Sequence, residues 1–324
     1  MTGHGTGRAP RAGATLAAAL AAARGLAAGG GGGGGAPPAG PGTAPGLGDE
    51  ALETLAADPA VRRLGDVLEG ADALLFTGLH ARYEASAAGE ETRGTVAVKM
   101  ACDGGRCTGE DGTAVDVGHL ADPSGLGAVV TEAETGARGG FDTLETAAAL
   151  SVTESGVPGV TVTASPEIMS WGFWGAHGFA ALETGAGRLA GTADGAALEG
   201  TLSLARAYAL GAASGSNPSG TGGATWTGIA EASPKGTYRR LEGTATVTIA
   251  DLSRPRVGVA IDVPGHDIGA PGWTDMAPAA GGFVSGTQGA DFLQGGFHGP
   301  GHEEAWGVFD TATHLGAFGA RREP

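Results

Sequence analysis

Three groups of residues in this chain have types and spacings that could do chemistry. The first is Cys102-Asp103-Gly104-Gly105-Arg106-Cys107, two thiols separated by four turn-forming residues. A hairpin through such a stretch sets the two side chains face to face across its strands, and in an oxidising compartment they pair. A zinc site would need a second pair of ligands nearby, which the flanking sequence lacks; two free thiols are the remaining reading. The second group is Trp171, Phe173, Trp174, His177 and Phe179, the densest aromatic stretch of the chain. Rings gathered like this make either a ligand surface or the small core of a glycine-rich domain. In the first case Trp171, Trp174 and His177 are the binding residues, with His177 able to ligate a haem iron. In the second, His177 is a hydrogen-bonded structural residue. On a strand, Trp171 and Phe173 face one side and Trp174 the other. The third group is His298, His302, Glu303 and Glu304. Their spacing would suit one face of a helix, but Gly299-Pro300-Gly301 forbids a helix between them. They read as an exposed turn, and no metal centre is expected.

Catalytic patterns are missing from the sequence. It has no Gly-x-Ser-x-Gly elbow, no His-Glu-x-x-His and no paired carboxylates set among apolar residues. No catalytic residue is assigned and the expectation is a protein that is not an enzyme. No cofactor is required; haem is the one for which a candidate site exists.

The 324 residues include 64 glycines, and 19 basic side chains stand against 35 acidic ones for a net charge of −16. A phosphate backbone is repelled by such a surface, so nucleic acid is not an expected partner. Past the N-terminus no apolar run approaches the roughly 20 residues that span a bilayer. No lipid-facing apolar band with aromatic girdles marks an outer-membrane barrel either. The first 48 residues read as a signal-like and glycine-rich segment. Arg8 and Arg11 precede the apolar run Ala14 to Ala23, the order of an export signal, although Arg24 lies close to the apolar core. The alternative is a mis-assigned start followed by an Ala/Gly tail.

The elements that must position these groups follow in order. Residues 49 to 70 look helical, with Asp58 as cap, Pro59 at the first position, and a stripe of Val61, Leu64, Val67 and Leu68. Thr95 to Met100 is a strand. Ser214 to Gly220 is a linker by composition. Beyond it the chain alternates: Gly243, Ala245, Val247 and Ile249, then Val257, Val259, Ile261 and Val263, each read as a half-buried strand. With Gly282 to Thr287, a segment near Trp273 and the closing strands, this makes about eight short strands, which suits a filled barrel. In the closing strands, Leu293, Gly295 and Phe297 share a face, as do Ala305, Gly307 and Phe309. Glycines so frequent inside strands imply close backbone approach or sharp coiling.

The closing residues carry a family resemblance. Gly296-Phe297-His298-Gly299-Pro300, then Glu304, Gly307 and Phe309, then Gly316-Ala317-Phe318-Gly319-Ala320-Arg321-Arg322 resemble the last strands of the transferrin-binding-protein-B-like β-barrel domain. Upstream, Trp226-Thr227-Gly228 resembles the start of that barrel. Two positions depart from the pattern: His298 stands where the family has Tyr, and Trp306 where it has the first Gly of a pair. Both fall in or beside a hairpin and are expected to touch surface detail. The Gly29 to Gly35 tract resembles the tether of the family's surface lipoproteins. Leu26-Ala27-Ala28 resembles a lipobox, yet Gly29 stands where the acylated Cys belongs, so no thioether anchor forms there.

The resemblance implies a mainly β protein: an N-terminal β-rich handle domain with a short helix (49–215), then a C-terminal eight-stranded antiparallel β-barrel (220–324). It also implies a solute-binding or partner-binding protein at the cell surface, associated with an outer membrane, or secreted. Such a protein presents loops to a host or environmental ligand, with iron or haem acquisition among the implied roles. Specificity lives in loops, so the ligand does not follow. The alternative is a structural or protein-interaction module with no small ligand, meeting its partner through the rim from His298 to Trp306.

Overall fold

The computed structural model describes residues 46–324 except 88, 111, 113, 118–128, 156–157 and 269–272. The export-like run, the Leu26–Ala28 stretch and the glycine tract lie outside the described residues.

Where one short helix was expected there are two, α1 (Asp49–Ala57) and α2 (Pro59–Glu69). Asp58 separates them because its extended backbone ends the first while Pro59 starts the second. One Asp58 carboxylate oxygen accepts the Ala60 N–H at 2.7 Å, and the other accepts the Thr135 hydroxyl at 2.7 Å. The cap therefore also ties the helix to the sheet. Leu64 and Val67 from the expected stripe are buried, and Val61 and Leu68 are half-buried.

The first lobe is a curled antiparallel sheet. Its long strands are β1 (Ala73–Ala87), β2 (Glu90–Val98), β6 (Val129–Arg138), β7 (Phe141–Ala149), β9 (Val160–Trp174), β10 (Gly178–Ala193) and β11 (Ala196–Gly211), in the order β2-β1-β11-β10-β9-β7-β6. The short β8 (Val152–Glu154) also pairs with β9. A separate three-stranded sheet holds β3 (Met100–Asp103), β4 (Arg106–Gly109) and β5 (Ala114–Asp116). Cys102 lies directly opposite Cys107 across β3 and β4, and the two form a disulfide. The strand expected over Thr95 to Met100 is broken at Lys99, between β2 and β3.

The second lobe is a seven-stranded antiparallel sheet, curled on itself. It comprises β12 (Ala224–Pro234), β13 (Leu241–Ile249), β14 (Val257–Asp262), β15 (Gly282–Ser285), β16 (Asp291–His298), β17 (Glu304–Thr311) and β18 (His314–Arg322), in the order β14-β13-β12-β18-β17-β16-β15. The eighth place is taken by an irregular segment around Trp273. Val257 exchanges backbone hydrogen bonds of 2.8 and 3.0 Å with Met276, and the Val259 N–H reaches the Trp273 carbonyl at 2.8 Å.

Much of the glycine in the closing strands has a packing explanation. Gly295, Gly307, Gly316 and Gly319 lie directly across the sheet from Phe283, Phe318, Phe309 and Trp306. Each ring lies over the glycine opposite, and a Cβ there would collide with it. Aromatic rings thus fill the space that a glycine leaves in its strand.

Three apolar clusters result. One fills the first lobe, from Leu64 and Val67 to Tyr83, Trp174 and Leu210. One fills the second, around Trp226, Phe297, Phe309 and Phe318. The third lies between the lobes: Phe141, Phe173, Leu182 and Ala207 meet Ile229, Trp306, Val308 and Leu315. Strands covered on both faces lose the in-out alternation, so Gly178 to Gly185 and all of β17 are buried residue after residue.

Candidate functional site

The aromatic group of β9 is divided by the sheet, with Trp171 and Phe173 on one side and Trp174 on the other. Trp174 is fully buried in the first-lobe core, its ring 6.4 Å from that of Phe179. Its indole N–H has no hydrogen-bond partner among the described residues. Trp171 is half-buried beside the inter-lobe cluster, and the Arg240 guanidinium lies 5.4 Å from its ring centroid. His177 is half-buried in the turn between β9 and β10, near Gly299 of the second lobe. The three residues singled out as a ligand site are thus not gathered around one cavity: Trp171 and Trp174 point to opposite sides of the sheet.

The third group differs from its expectation. His298 is 2% exposed and Glu304 3% exposed. Only His302 and Glu303 stay at the turn, because the first lobe packs over the rest of this hairpin. The Glu304 carboxylate accepts the N–H groups of Ala176 at 2.7 Å and His177 at 2.9 Å, and the Trp306 indole N–H at 3.0 Å. A carboxylate at the start of β17 thereby holds the β9–β10 turn of the other lobe. Burial pushes the His298 imidazole down to about 4, partly offset by the Ala212 backbone and Asp72.

Trp306, expected at a contact rim, is fully buried. Its ring packs 5.4 Å from Phe141 and 5.7 Å from Phe173, over Gly178 and Gly319. Both departures from the family pattern are therefore interior residues rather than surface detail. Trp226, Gly228 and Gly299 of the same motif are held by packing or turn geometry. Trp226 is fully buried and donates its indole N–H to the His302 carbonyl at 2.7 Å. A Cβ at Gly228 would strike the Gly319 carbonyl. Gly299, at φ +81°, makes the left-handed turn before Pro300.

A second junction escaped sequence reasoning. Glu231 of β12 is 2% exposed and takes Arg138 of the first lobe at 2.7 Å and Arg240 at 2.9 Å. Arg240 also reaches Glu145 of β7 at 2.7 Å. Burial raises the Glu231 carboxyl, and the two guanidiniums oppose that rise. Nothing in the local sequence signals the two pairs that cross between the lobes, Arg138 with Glu231 and Arg240 with Glu145, the latter 95 residues apart. Among the described residues there is no group of three or more His, Cys, Asp or Glu placed to hold a metal ion. None of the described helices is long and apolar enough to cross a membrane.

No family model matches the chain. No curated protein matches it either. Among solved structures, a chain described as intact Ap-TbpB, with its N and C lobes, is matched at 14% identity and a TM-score of 0.26. The match covers 75% of this chain and 46% of that one, so this chain spans about half the length of that structure.

Proposed function

We propose that this chain is an exported binding protein without catalytic activity, which engages a macromolecular partner through its surface loops. The observation that carries this reading is where its rings are placed. Trp174, Trp226, Trp306, Phe173, Phe297, Phe309 and Phe318 fill the two lobe cores and the layer between them. Both lobes then serve as filled scaffolds, and recognition falls to the turns that join the strands. The resemblance of the closing strands to the transferrin-binding-protein-B-like barrel supports the same class of function. The Cys102–Cys107 disulfide supports export to an oxidising compartment.

A haem-carrier reading places the ligand at Trp171, Trp174 and His177, and one experiment separates the two. Haem is titrated into the purified chain while the Soret band is followed, and in parallel the immobilised chain is exposed to transferrin and to serum fractions. The expected outcome is a non-saturating Soret response with saturable capture of a protein. A stoichiometric Soret shift lost in His177→Ala would overturn the macromolecular reading and restore the small-ligand site.

A further inference from the structure

Both lysines of the sequence, Lys99 and Lys235, line one cleft. It has a volume of about 290 Å³ and lies at the seam between the lobes, with Lys99 contributed by the first and Lys235 by the second. Lys235 is a fixed charge: its ammonium pairs with Asp310 and donates to the Thr311 carbonyl. Lys99 is exposed and has no ion pair or hydrogen bond from its ammonium among the described residues.

The backbone that carries Lys99 is nevertheless held in place. Gln288 of the second lobe accepts the N–H of Met100 at 3.0 Å and donates to the carbonyl of the same residue. This pair of hydrogen bonds from the opposite lobe sits where the strand breaks between β2 and β3. On the facing strand, the register of β1 against β11 shifts between Phe76 and Leu79. Thr77 turns inward there and bonds both the N–H and the carbonyl of Ala207. Such a bulge re-aims the strand and opens space beside it.

The charges in the cleft do not cancel. His80 on its wall bonds the Tyr238 hydroxyl at 2.9 Å, and burial, with Lys235 adding to it, holds its imidazole at about 4, neutral near pH 7. Two ammoniums then face one carboxylate. One positive charge is left over in a chain whose net charge is −16. The apolar lining comes from Leu79, Ala97, Val98, Ala312 and Leu315, of which Leu79, Val98 and Leu315 are already buried in the fold.

We propose that this inter-lobe cleft binds a small organic monoanion, a short-chain carboxylate, with its carboxylate on Lys99 and its hydrocarbon against Ala97, Ala312 and Leu315. A single leftover charge matches a monoanion; a doubly charged phosphate would place an uncompensated charge beside Asp310. The site is separate from the surface loops assigned above and goes beyond that reading.

The scarcity of lysine supplies the test. Reductive 13C-methylation of the full chain labels Lys99, Lys235 and the N-terminal amine and keeps their charges. Sodium butyrate is titrated against sodium chloride at matched ionic strength, with inorganic phosphate as a third arm. The expected result is a saturable shift of the Lys99 methyl signals with butyrate, without one at the N-terminal amine. Lys99→Gln, at an exposed position, should weaken butyrate binding by about tenfold or more in calorimetry, the loss of one charge-assisted contact, and leave the melting temperature unchanged. A response that grows linearly with butyrate, or that chloride reproduces, overturns the proposal. So does unchanged affinity in Lys99→Gln. Saturation by phosphate alone overturns the carboxylate assignment.

Discussion

Among the buried residues, His298 has the clearest consequence for pH. Its imidazole is held at about 4, below the ordinary 6.5, chiefly by burial, with His177 adding a smaller depression and Asp72 and the Ala212 backbone opposing it. The unfolded chain therefore takes up the proton first as pH falls. The stability involved is fully present above pH 6.5 and is lost on the way down to about 4, up to roughly 3 kcal/mol. Glu231 and Asp310, both raised by burial, act the other way, since protonation relieves their burial cost. Melting temperature should fall between pH 7 and pH 4.5. His80, also held at about 4, contributes over the same window, so His298→Gln should reduce that slope without removing it; an unchanged slope would exclude His298 as a source. Glu304 invites a second substitution. Glu304→Ala strands the N–H groups of Ala176 and His177 and should cost about 2–4 kcal/mol in chemical denaturation. Sequence reasoning placed both residues in an exposed turn, because hairpin spacing locates a side chain on its strand but not under another lobe. The disulfide was legible for the opposite reason: everything that pairs Cys102 with Cys107 lies within one local hairpin.

At the scale of elements, the opposed glycines and rings make the closing strands sensitive to small additions. Gly319→Val would drive a side chain into the Trp306 ring and should destabilise the fold by about 1–3 kcal/mol, read from denaturant midpoints. Equal stability of that variant would mean that the ring has room to move. The alternation of Leu293 with Phe297, and of Ala305 with Phe309, correctly marked the faces that fill the barrel, since period-two patterning depends only on the strand itself. It could not reveal that Trp306 and Val308 on the other face are covered as well. The strand over Thr95 to Met100 was legible until Lys99, where Gln288 from the other lobe takes over the backbone hydrogen bonds of Met100. The helical stretch was legible in its cap and its stripe, but Asp58 and Pro59 divide it.

For the whole molecule, the shared layer between the lobes decides how it unfolds. Phe141 and Phe173 from one lobe enclose Trp306 from the other, and the ion pairs Arg138–Glu231 and Arg240–Glu145 cross the same junction. A single cooperative transition is expected in calorimetry, and Trp306→Ala should lower its midpoint at a cost of about 3–5 kcal/mol. Two separate transitions in the unmodified chain would show the lobes to be independent. That packing was the least legible feature of all. It depends on pairs such as Arg138 with Glu231, which no periodicity announces.

The strand order of the second lobe has a bearing on biosynthesis. The strand nearest the C-terminus, β18, is not at an edge; it sits in the middle, between β12 and β17. Until residues 314–322 have left the ribosome, the earlier strands can assemble only as two partial sheets, β12 to β14 and β15 to β17, with unpaired edges between them. The first lobe behaves similarly, since β1 waits for β11 before its central ladder can close. A chain interrupted before β18 would hold no finished second lobe.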